Sequence, residues 1–394
     1  MVGITNPRES LGFYGRGFLA TGPGLIANGS LLGVDTFLGL AGFLAFYIFL
    51  KELEKRLDPS PRARKPQSAV SSQQGPQDRA GTCGRGAWKV TQMALVAYLR
   101  RYLRLTPAYA VILLIFTFLA PLMSSAPPSP TGVMQESQVC QEKWWQNLLY
   151  INNILSNPYT MCYQASWFLA VVQQLFLLVP WLSALAFLRP WLGLMVGVAL
   201  CVGSYVYTFQ HSQAQGWRIN SIDRPGFPRF FADFYAGTFT RMPTFLIGGM
   251  AAILYFKYGD RCREYWLRKS LQTPGTVRVQ VWAAIGLALA LLAAAIFGPY
   301  RELAFAPGKW SQTTSSSYIT LTFSAWVMGL CFLCGVLAMG RGGLLKKFLE
   351  LPFWAVTSRL TYSTYLVHPM VGRTGGFFLF FPLRCMVMLI QNFF

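Results

Sequence analysis

Residues 31 to 50 read LLGVDTFLGLAGFLAFYIFL, a run of 20 residues whose one charged side chain is Asp35. A helix of this length rises about 30 Å, the thickness of the hydrocarbon core of a bilayer. The run is too long for a strand, and its apolar residues are not confined to one face as on the surface helix of a soluble domain. It therefore predicts a membrane-spanning helix.

Seven further apolar stretches of similar length follow along the chain. With the first, the predicted spans are 31 to 50, 103 to 123, 166 to 188, 190 to 209, 243 to 258, 279 to 298, 318 to 339 and 352 to 372. A ninth stretch, 376 to 394, is interrupted by Pro382 and Arg384. An open sheet cannot satisfy its backbone hydrogen bonds in lipid. The sequence therefore predicts an all-α polytopic transmembrane bundle over residues 31–394, with about eight to nine spans.

The distribution of Lys and Arg predicts the orientation of these helices. If the C-terminal end of the first span faces the cytosol, 23 of the 34 basic residues lie on the cytosolic side. This is the arrangement that the positive-inside rule favours. Residues 1–30 then form an outer-side segment in which Asn28 begins a glycosylation sequon, and residues 124–165 form an outer loop.

The net charge of +20 does not indicate a nucleic-acid-binding protein. Basic residues beside apolar spans are the expected consequence of topology and of anionic lipid at the cytosolic face. Membrane lipids are therefore the expected partners, in the endoplasmic reticulum or the plasma membrane.

The segment between the first two spans, residues 51–92, has the composition of a linker. It is rich in Pro, Ser, Gln, Gly and Arg, and it contains too little apolar surface to fold. We expect a disordered, basic loop in the cytosol.

The eight cysteines divide by location. Cys140 and Cys162 both fall in the predicted outer loop, an oxidising environment, and we expect them to form a disulfide that ties this loop together. Cys331 and Cys334 lie inside an apolar helix, where small packing residues are the simpler interpretation. Four-ligand metal spacing is absent from the sequence, and we expect no bound cofactor.

Polar residues inside or beside the spans are the candidates for chemistry. Asp35 is expensive in lipid unless it has a partner, and it is equally explained as an N-cap at a helix start. Arg100 and Arg104 are one helical turn apart, which suits two guanidinium groups to clamping phosphates. Anchoring to lipid headgroups is the alternative explanation for this pair.

Several sequence blocks resemble the acyltransferase-3 superfamily of membrane O-acyltransferases. Residues 33–44 resemble its GVDxFFxxSGF signature, with Ala41 in place of the usual serine. Residues 101–107 fit its R-x-x-R-L-x-P pattern, and residues 358–369 resemble its SRLTYxxYLVHP segment. The blocks WWQNLLYINN, at 144–153, and SWFLA, at 166–170, are similar to the nose-resistant-to-fluoxetine branch.

The resemblance implies a function and a set of roles. An acyl group would pass from acyl-CoA, bound near Arg100, Arg101 and Arg104, to a hydroxyl acceptor, with Asp35 orienting the base. His368 is a candidate acid or base, although a histidine before proline at a helix end is commonly a hydrogen-bonding packing residue.

The family's proposed catalytic histidine lies on a helix before the GVD block, and residues 1–30 contain no histidine. The chain is therefore expected to be a shortened form with little activity of its own. Two other classes of function remain open at this point: a non-catalytic lipid-binding or regulatory member of the family, and a transporter of lipids or small molecules.

Overall fold

A computed structural model describes residues 32–57, 77–119, 130–157, 160–219, 229–300, 302, 309–339 and 343–373. Over these residues the chain is built from helices and short connections, as expected for a polytopic membrane protein. The helices are α1 (Gly33–Leu57), α2 (Gln77–Phe118), α3 (Pro130–Leu148), α4 (Asn152–Leu155), α5 (Trp167–Phe176), α6 (Val179–Leu188), α7 (Pro190–Gln215), α8 (Thr238–Gln272), α9 (Pro274–Phe297), α10 (Gln312–Ala338), α11 (Gly343–Leu349) and α12 (Pro352–Arg373).

Seven segments within this part of the chain are long and apolar enough to cross a membrane. They are Gly33–Leu57, Ala87–Phe118, Gln164–Leu188, Pro190–Gln215, Phe230–Gln272, Pro274–Phe297 and Gln312–Ala338. The predicted eighth span is also helical, as α12, but it does not belong to this apolar group. The ninth stretch, 376 to 394, lies outside the described residues.

The two larger of three hydrophobic core clusters organise most of the described bundle. The larger one is formed mainly by α1, α5, α6, α7 and α8, and within it the rings of Phe46 and Phe245 pack with centroids 6.3 Å apart. The smaller one joins α2, the outer-loop residues and α12. Here Tyr163 donates a hydrogen bond to the backbone carbonyl of Leu366, which ties the segment before α5 to α12.

Helices α1 and α8 approach each other closely because glycines face each other across their interface. A Cβ placed on Gly42 would lie 2.1 Å from the carbonyl oxygen of Phe245, and one on Gly248 would lie 2.0 Å from that of Gly39. Small residues allow such contact between membrane helices, whose association gains little from the hydrophobic effect.

The predicted third span is broken in the structure. Helix α5 ends at Phe176 and α6 begins at Val179, with Pro180 in its first turn. Proline has no backbone N–H to bond back to the preceding turn, which explains the break. The hydroxyl of Tyr98 donates to the carbonyl oxygen of Leu177 at 2.7 Å, so one freed acceptor is satisfied within the protein.

The expected cytosolic loop at 51–92 contains more helix than its composition suggested. Helix α1 continues to Leu57, supported by hydrogen-bonded ion pairs such as Arg56 with Glu52 at 2.5 Å. Helix α2 already begins at Gln77, directly after Pro76. Residues 58–76 lie outside the described part of the chain. Hydropathy indicates where the chain leaves the hydrocarbon of the membrane. It does not indicate where the helix ends, because backbone hydrogen bonds can continue beyond the apolar residues.

Candidate functional site

A buried ion pair joins the start of α1 to the start of α8. Nη1 of Arg241 donates to both carboxylate oxygens of Asp35, at 2.8 and 2.7 Å. Both side chains are fully buried. Nε of Arg241 donates to the carbonyl oxygen of Tyr235 at 2.9 Å. A buried charge needs such a set of partners, since breaking the pair would leave an uncompensated ion.

Aromatic rings enclose the rest of this guanidinium group. Its central carbon lies 4.0 Å from the ring centroid of Phe323, 4.7 Å from that of Tyr235 and 5.7 Å from that of Trp167. Ring faces carry partial negative charge and replace part of the lost hydration. The Nη2 atom is buried and has no hydrogen-bond partner among the described residues. It is therefore a free donor within the core.

The Asp35 carboxylate thus accepts hydrogen bonds from an arginine that is distant in the sequence. Helix α1 begins two residues before Asp35, at Gly33. The sequence left a functional role and an N-cap open as alternatives. The missed partner was visible as Arg241, a cation two residues before the predicted fifth span. Matching the charges at the starts of the apolar helices would have suggested the pair.

The connection between α2 and α5 contributes a second buried polar network. Nδ2 of Asn147 donates to the Tyr109 hydroxyl at 2.7 Å, to the Cys162 carbonyl at 2.8 Å and to Ser166 Oγ at 3.0 Å. Nδ2 of Asn152 also donates to Ser166 Oγ, at 2.9 Å. The Oδ1 atoms of both asparagines are buried without partners in the described structure. Such enclosed acceptors are unusual in folded proteins and are often explained by a functional role.

Backbone strain marks the same loop. Tyr150 and Tyr163 have φ values of 57° and 51°, the left-handed region that non-glycine residues rarely adopt. Burial raises the pKa of both hydroxyl groups, so they stay protonated. The Tyr150 hydroxyl lies 3.2 Å from Thr106 Oγ1 on α2. Strained residues of this kind cluster at functional sites.

The three arginines predicted to bind acyl-CoA, all on α2, differ in their exposure. Arg100 and Arg104 are exposed, whereas Arg101 is partly buried. Nε of Arg101 donates to Gln173 Oε1 at 2.9 Å, and its guanidinium carbon lies 4.3 Å from the ring centroid of Phe176. Arg100 and Arg104, one turn apart, are both exposed at the surface of the protein, as their spacing suggested. The residue of this cluster that points into the protein is Arg101.

Two hydrogen-bonded groups of polar side chains lie between Arg101 and the buried ion pair, and they are joined to their neighbours only by adjacency along α5 and α8. Gln174, next to Gln173, donates to Asn153 Oδ1 at 2.8 Å and accepts from the Thr238 hydroxyl. Thr238 and Arg241 are one turn apart on α8. We call this series the polar seam; its members are Arg101, Gln173, Gln174, Asn153, Thr238, Arg241 and Asp35. It runs beside the break between α5 and α6.

The other predicted site residues lie away from the polar seam. His368 is exposed, and its Nδ1 lies 2.6 Å from the carbonyl oxygen of Tyr365 on its own helix. The roles of acid or base and of hydrogen-bonding packing residue both stay predictions for His368. Asn28 lies outside the described residues. Within the described part of the chain, no group of three or more His, Cys, Asp or Glu residues could hold a metal ion.

Cys140 and Cys162 form a disulfide, with their Cα atoms 4.5 Å apart, which confirms the pairing predicted from the sequence. The bond joins α3 to the turn that precedes α5.

We expect the double variant Cys140→Ala and Cys162→Ala to lose about 3 kcal/mol in free energy of unfolding. The disulfide closes a loop of 22 residues, and such loops restrict the unfolded chain by about this amount. Denaturant titration in mixed micelles measures the loss. Changing the unpaired Cys262, which is exposed, to Ala is the matched control and should have little effect.

The geometry defines a class: an integral membrane protein with a charged, hydrogen-bonded site inside its helical bundle. Comparison with known proteins gives the family. A family model described as an acyltransferase domain matches residues 9–390, so the chain belongs to the acyltransferase-3 family. It is 24% identical over 353 residues to Nose resistant to fluoxetine protein 6 of Caenorhabditis elegans. The match covers 86% of this chain and 38% of the relative, so the chain spans well under half the length of that protein. No solved structure matched.

Proposed function

We propose that the protein transfers an acyl group from a CoA thioester to a hydroxyl acceptor within the membrane. The polar seam carries this proposal, because it brings a buried ion pair and hydrogen-bonding side chains into the interior of the helical bundle. Intramembrane charges are costly and are retained mainly at functional sites. Membership of the acyltransferase-3 family supplies the reaction class.

In this proposal the two ends of the polar seam have different roles. Arg100 and Arg104, exposed on α2, bind the phosphates of CoA, and Arg101 orients the donor where the seam begins. The polar side chains along the seam accommodate the pantetheine arm. The free Nη2 donor of Arg241 stabilises negative charge on the thioester carbonyl oxygen during attack.

The proposed topology places residues 1–30 and 124–165 on the outer side and the connection between α1 and α2 in the cytosol. It follows the positive-inside distribution of Lys and Arg. The acceptor would be a membrane alcohol, in the endoplasmic reticulum or the plasma membrane.

Replacing Arg101 with glutamine is expected to weaken binding of a CoA thioester by about 10- to 100-fold. A charge-assisted hydrogen bond contributes about 1.5 to 3 kcal/mol, and this side chain is the inward-facing member of the cluster. Equilibrium binding of labelled palmitoyl-CoA to the full chain in nanodiscs measures the change.

The control for this prediction is Arg261→Gln, an exposed arginine on α8 that the proposed topology also places on the cytosolic side. It should leave the affinity within about twofold, because Arg261 lies on a different helix from the arginine cluster and has no role in the proposed donor site. The double variant Arg100→Ala with Arg104→Ala should weaken binding as well. Unchanged affinity in both cluster variants would leave the arginines as a topological anchor.

The central experiment is an acylation assay with labelled acetyl- and palmitoyl-CoA and a panel of alcohols: octanol, cholesterol and diacylglycerol. Labelled ester formed by the purified chain supports acyl transfer. Binding of acyl-CoA without any ester would instead support a non-catalytic, lipid-binding role. Two observations favour this second possibility. Asp35 is paired with Arg241, and His368 is exposed and contacts the Tyr365 carbonyl, so these two candidate catalytic residues do not contact each other.

One observation favours transport as a competing function. Broken helices beside buried polar residues are a common feature of substrate sites in transporters. The break between Phe176 and Val179 lies next to Gln173 and Gln174. Flux of a labelled lipid across proteoliposomes without ester formation would support transport and contradict acyl transfer.

A further inference from the structure

His211 is the second of the two histidines, and the structure gives it a carboxylate neighbour. It lies near the C-terminal end of α7, with its ring stacked on that of Tyr207 at a centroid distance of 5.6 Å and an angle of 8°. Trp217 meets the ring edge-on at 4.9 Å. Nε2 of His211 lies 3.5 Å from Oδ2 of Asp233. These contacts fix the plane of the imidazole.

The two ring nitrogens of His211 have different surroundings. Nε2 is enclosed and has no hydrogen bond, so the facing carboxylate of Asp233 is its available partner. The side chain keeps 27% of its surface exposed. A proton on Nε2 directed at the carboxylate leaves the lone pair on Nδ1, the arrangement in which a histidine accepts a proton. By contrast, Nδ1 of His368 faces a backbone carbonyl oxygen.

Asp233 belongs to a single π-helical turn, Phe230–Tyr235, that precedes α8. π-helical turns are rare and occur frequently at functional sites. The turn is held by Trp217, which packs edge-on against Phe230 with ring centroids 5.7 Å apart. Its last residue, Tyr235, supplies the carbonyl oxygen that binds Arg241. One short turn therefore positions both the carboxylate facing His211 and a partner of the buried ion pair.

The two pairs are also connected through the core. The ring of Phe323, which lies 4.0 Å from the Arg241 guanidinium carbon, packs against Phe234 with ring centroids 5.6 Å apart. The His211–Asp233 pair thus sits across the π-helical turn from the end of the polar seam. In the predicted topology both lie in the outer half of the protein.

We propose that His211, oriented by Asp233, is the general base that deprotonates the hydroxyl acceptor on the outer side. This inference rests on the proposed acyl transfer. Nδ1 takes the hydroxyl proton as the acceptor oxygen bonds to the thioester carbonyl carbon. The carbon–sulfur bond then breaks, and the leaving CoA thiolate takes the proton back from the imidazolium. The products are an ester and free CoA, with no net change in protons.

The test compares His211→Gln and Asp233→Asn with the parent chain in the nanodisc acylation assay. Removing a positioned general base typically costs about 100- to 10,000-fold in rate, so kcat of His211→Gln should fall by about 100-fold or more. Asp233→Asn keeps the imidazole but loses its orienting charge and should fall by about 10-fold or more. Whatever pH dependence kcat of the parent shows through this base should be absent from the residual activity of His211→Gln.

Two controls separate catalysis from folding. Gln210→Ala, exposed on the preceding position of α7, should retain full activity. An intact Cys140–Cys162 disulfide and a parental unfolding midpoint show that each variant is folded. If His211→Gln does not fold, Asp233→Asn decides the question by its rate and pH profile.

The outcomes distinguish this inference from the proposed function. Suppose that the parent is active and that folded His211→Gln or Asp233→Asn keeps more than half of kcat with an unchanged pH profile. This result overturns the assignment of His211 as the general base and leaves acyl transfer standing. A parent that forms no ester with any donor and acceptor overturns acyl transfer, and the base with it. Selective loss in both variants supports the assignment.

Discussion

Replacing Arg241 with methionine is expected to lower the free energy of unfolding by about 3 to 5 kcal/mol. The substitution leaves the Asp35 carboxylate buried without its cation, and breaking a buried pair from one side typically costs this much. The methionine retains much of the side-chain volume, so the loss reports charge more than packing. Denaturant titration of the full chain in mixed micelles, followed by tryptophan fluorescence, measures it.

Two further variants test the origin of this effect. The double variant Arg241→Met with Asp35→Asn should recover part of the lost stability, because no uncompensated charge remains in the core. Arg268→Met removes a surface arginine whose ion pair with Glu264 is long, at 3.9 Å, and it should change stability by less than about 0.5 kcal/mol. If Arg241→Met matches that surface control, the buried pair makes no contribution to stability.

The fold was largely predictable because hydropathy over 20 residues is a strong signal. Lipid excludes any spanning structure with unsatisfied backbone groups, so long apolar runs leave few alternatives to helices. The disulfide could be predicted from location alone, since Cys140 and Cys162 share one loop. Helix ends were less predictable: α8 extends to Gln272, well past the apolar part of its sequence.

The site could be predicted only in part, because its residues are distant along the chain. Asp35 was identified as a candidate from the cost of a charge in lipid, but its partner lies 206 positions away. The inward direction of Arg101 depends on how α2 packs against α5. Asp233 and His211 are brought together by a π-helical turn, and neither composition nor periodicity signals such a turn.

Substituting alanine for Gly248 is expected to destabilise the protein by about 3 kcal/mol or more. The added Cβ would lie 2.0 Å from the carbonyl oxygen of Gly39 and 3.1 Å from the backbone nitrogen of Phe43. Both obstacles are backbone atoms of α1, so no side-chain rotation can relieve the clash and the two helices must move apart. Overpacking costs about 1 to 3 kcal/mol where neighbours can adjust, and this interface has little freedom to do so.

The matched control is Gly286→Ala on α9, where an added Cβ meets nothing within 4 Å. This change should be neutral or slightly stabilising, because alanine favours a helix more than glycine does. The α1–α8 interface also holds the Asp35–Arg241 pair, so separating the helices should weaken that pair. The Gly248→Ala substitution should therefore cost less in the Arg241→Met background than in the parent, a coupling that double-mutant cycles measure. Strict additivity would mean that the glycine contact and the ion pair stabilise the interface independently.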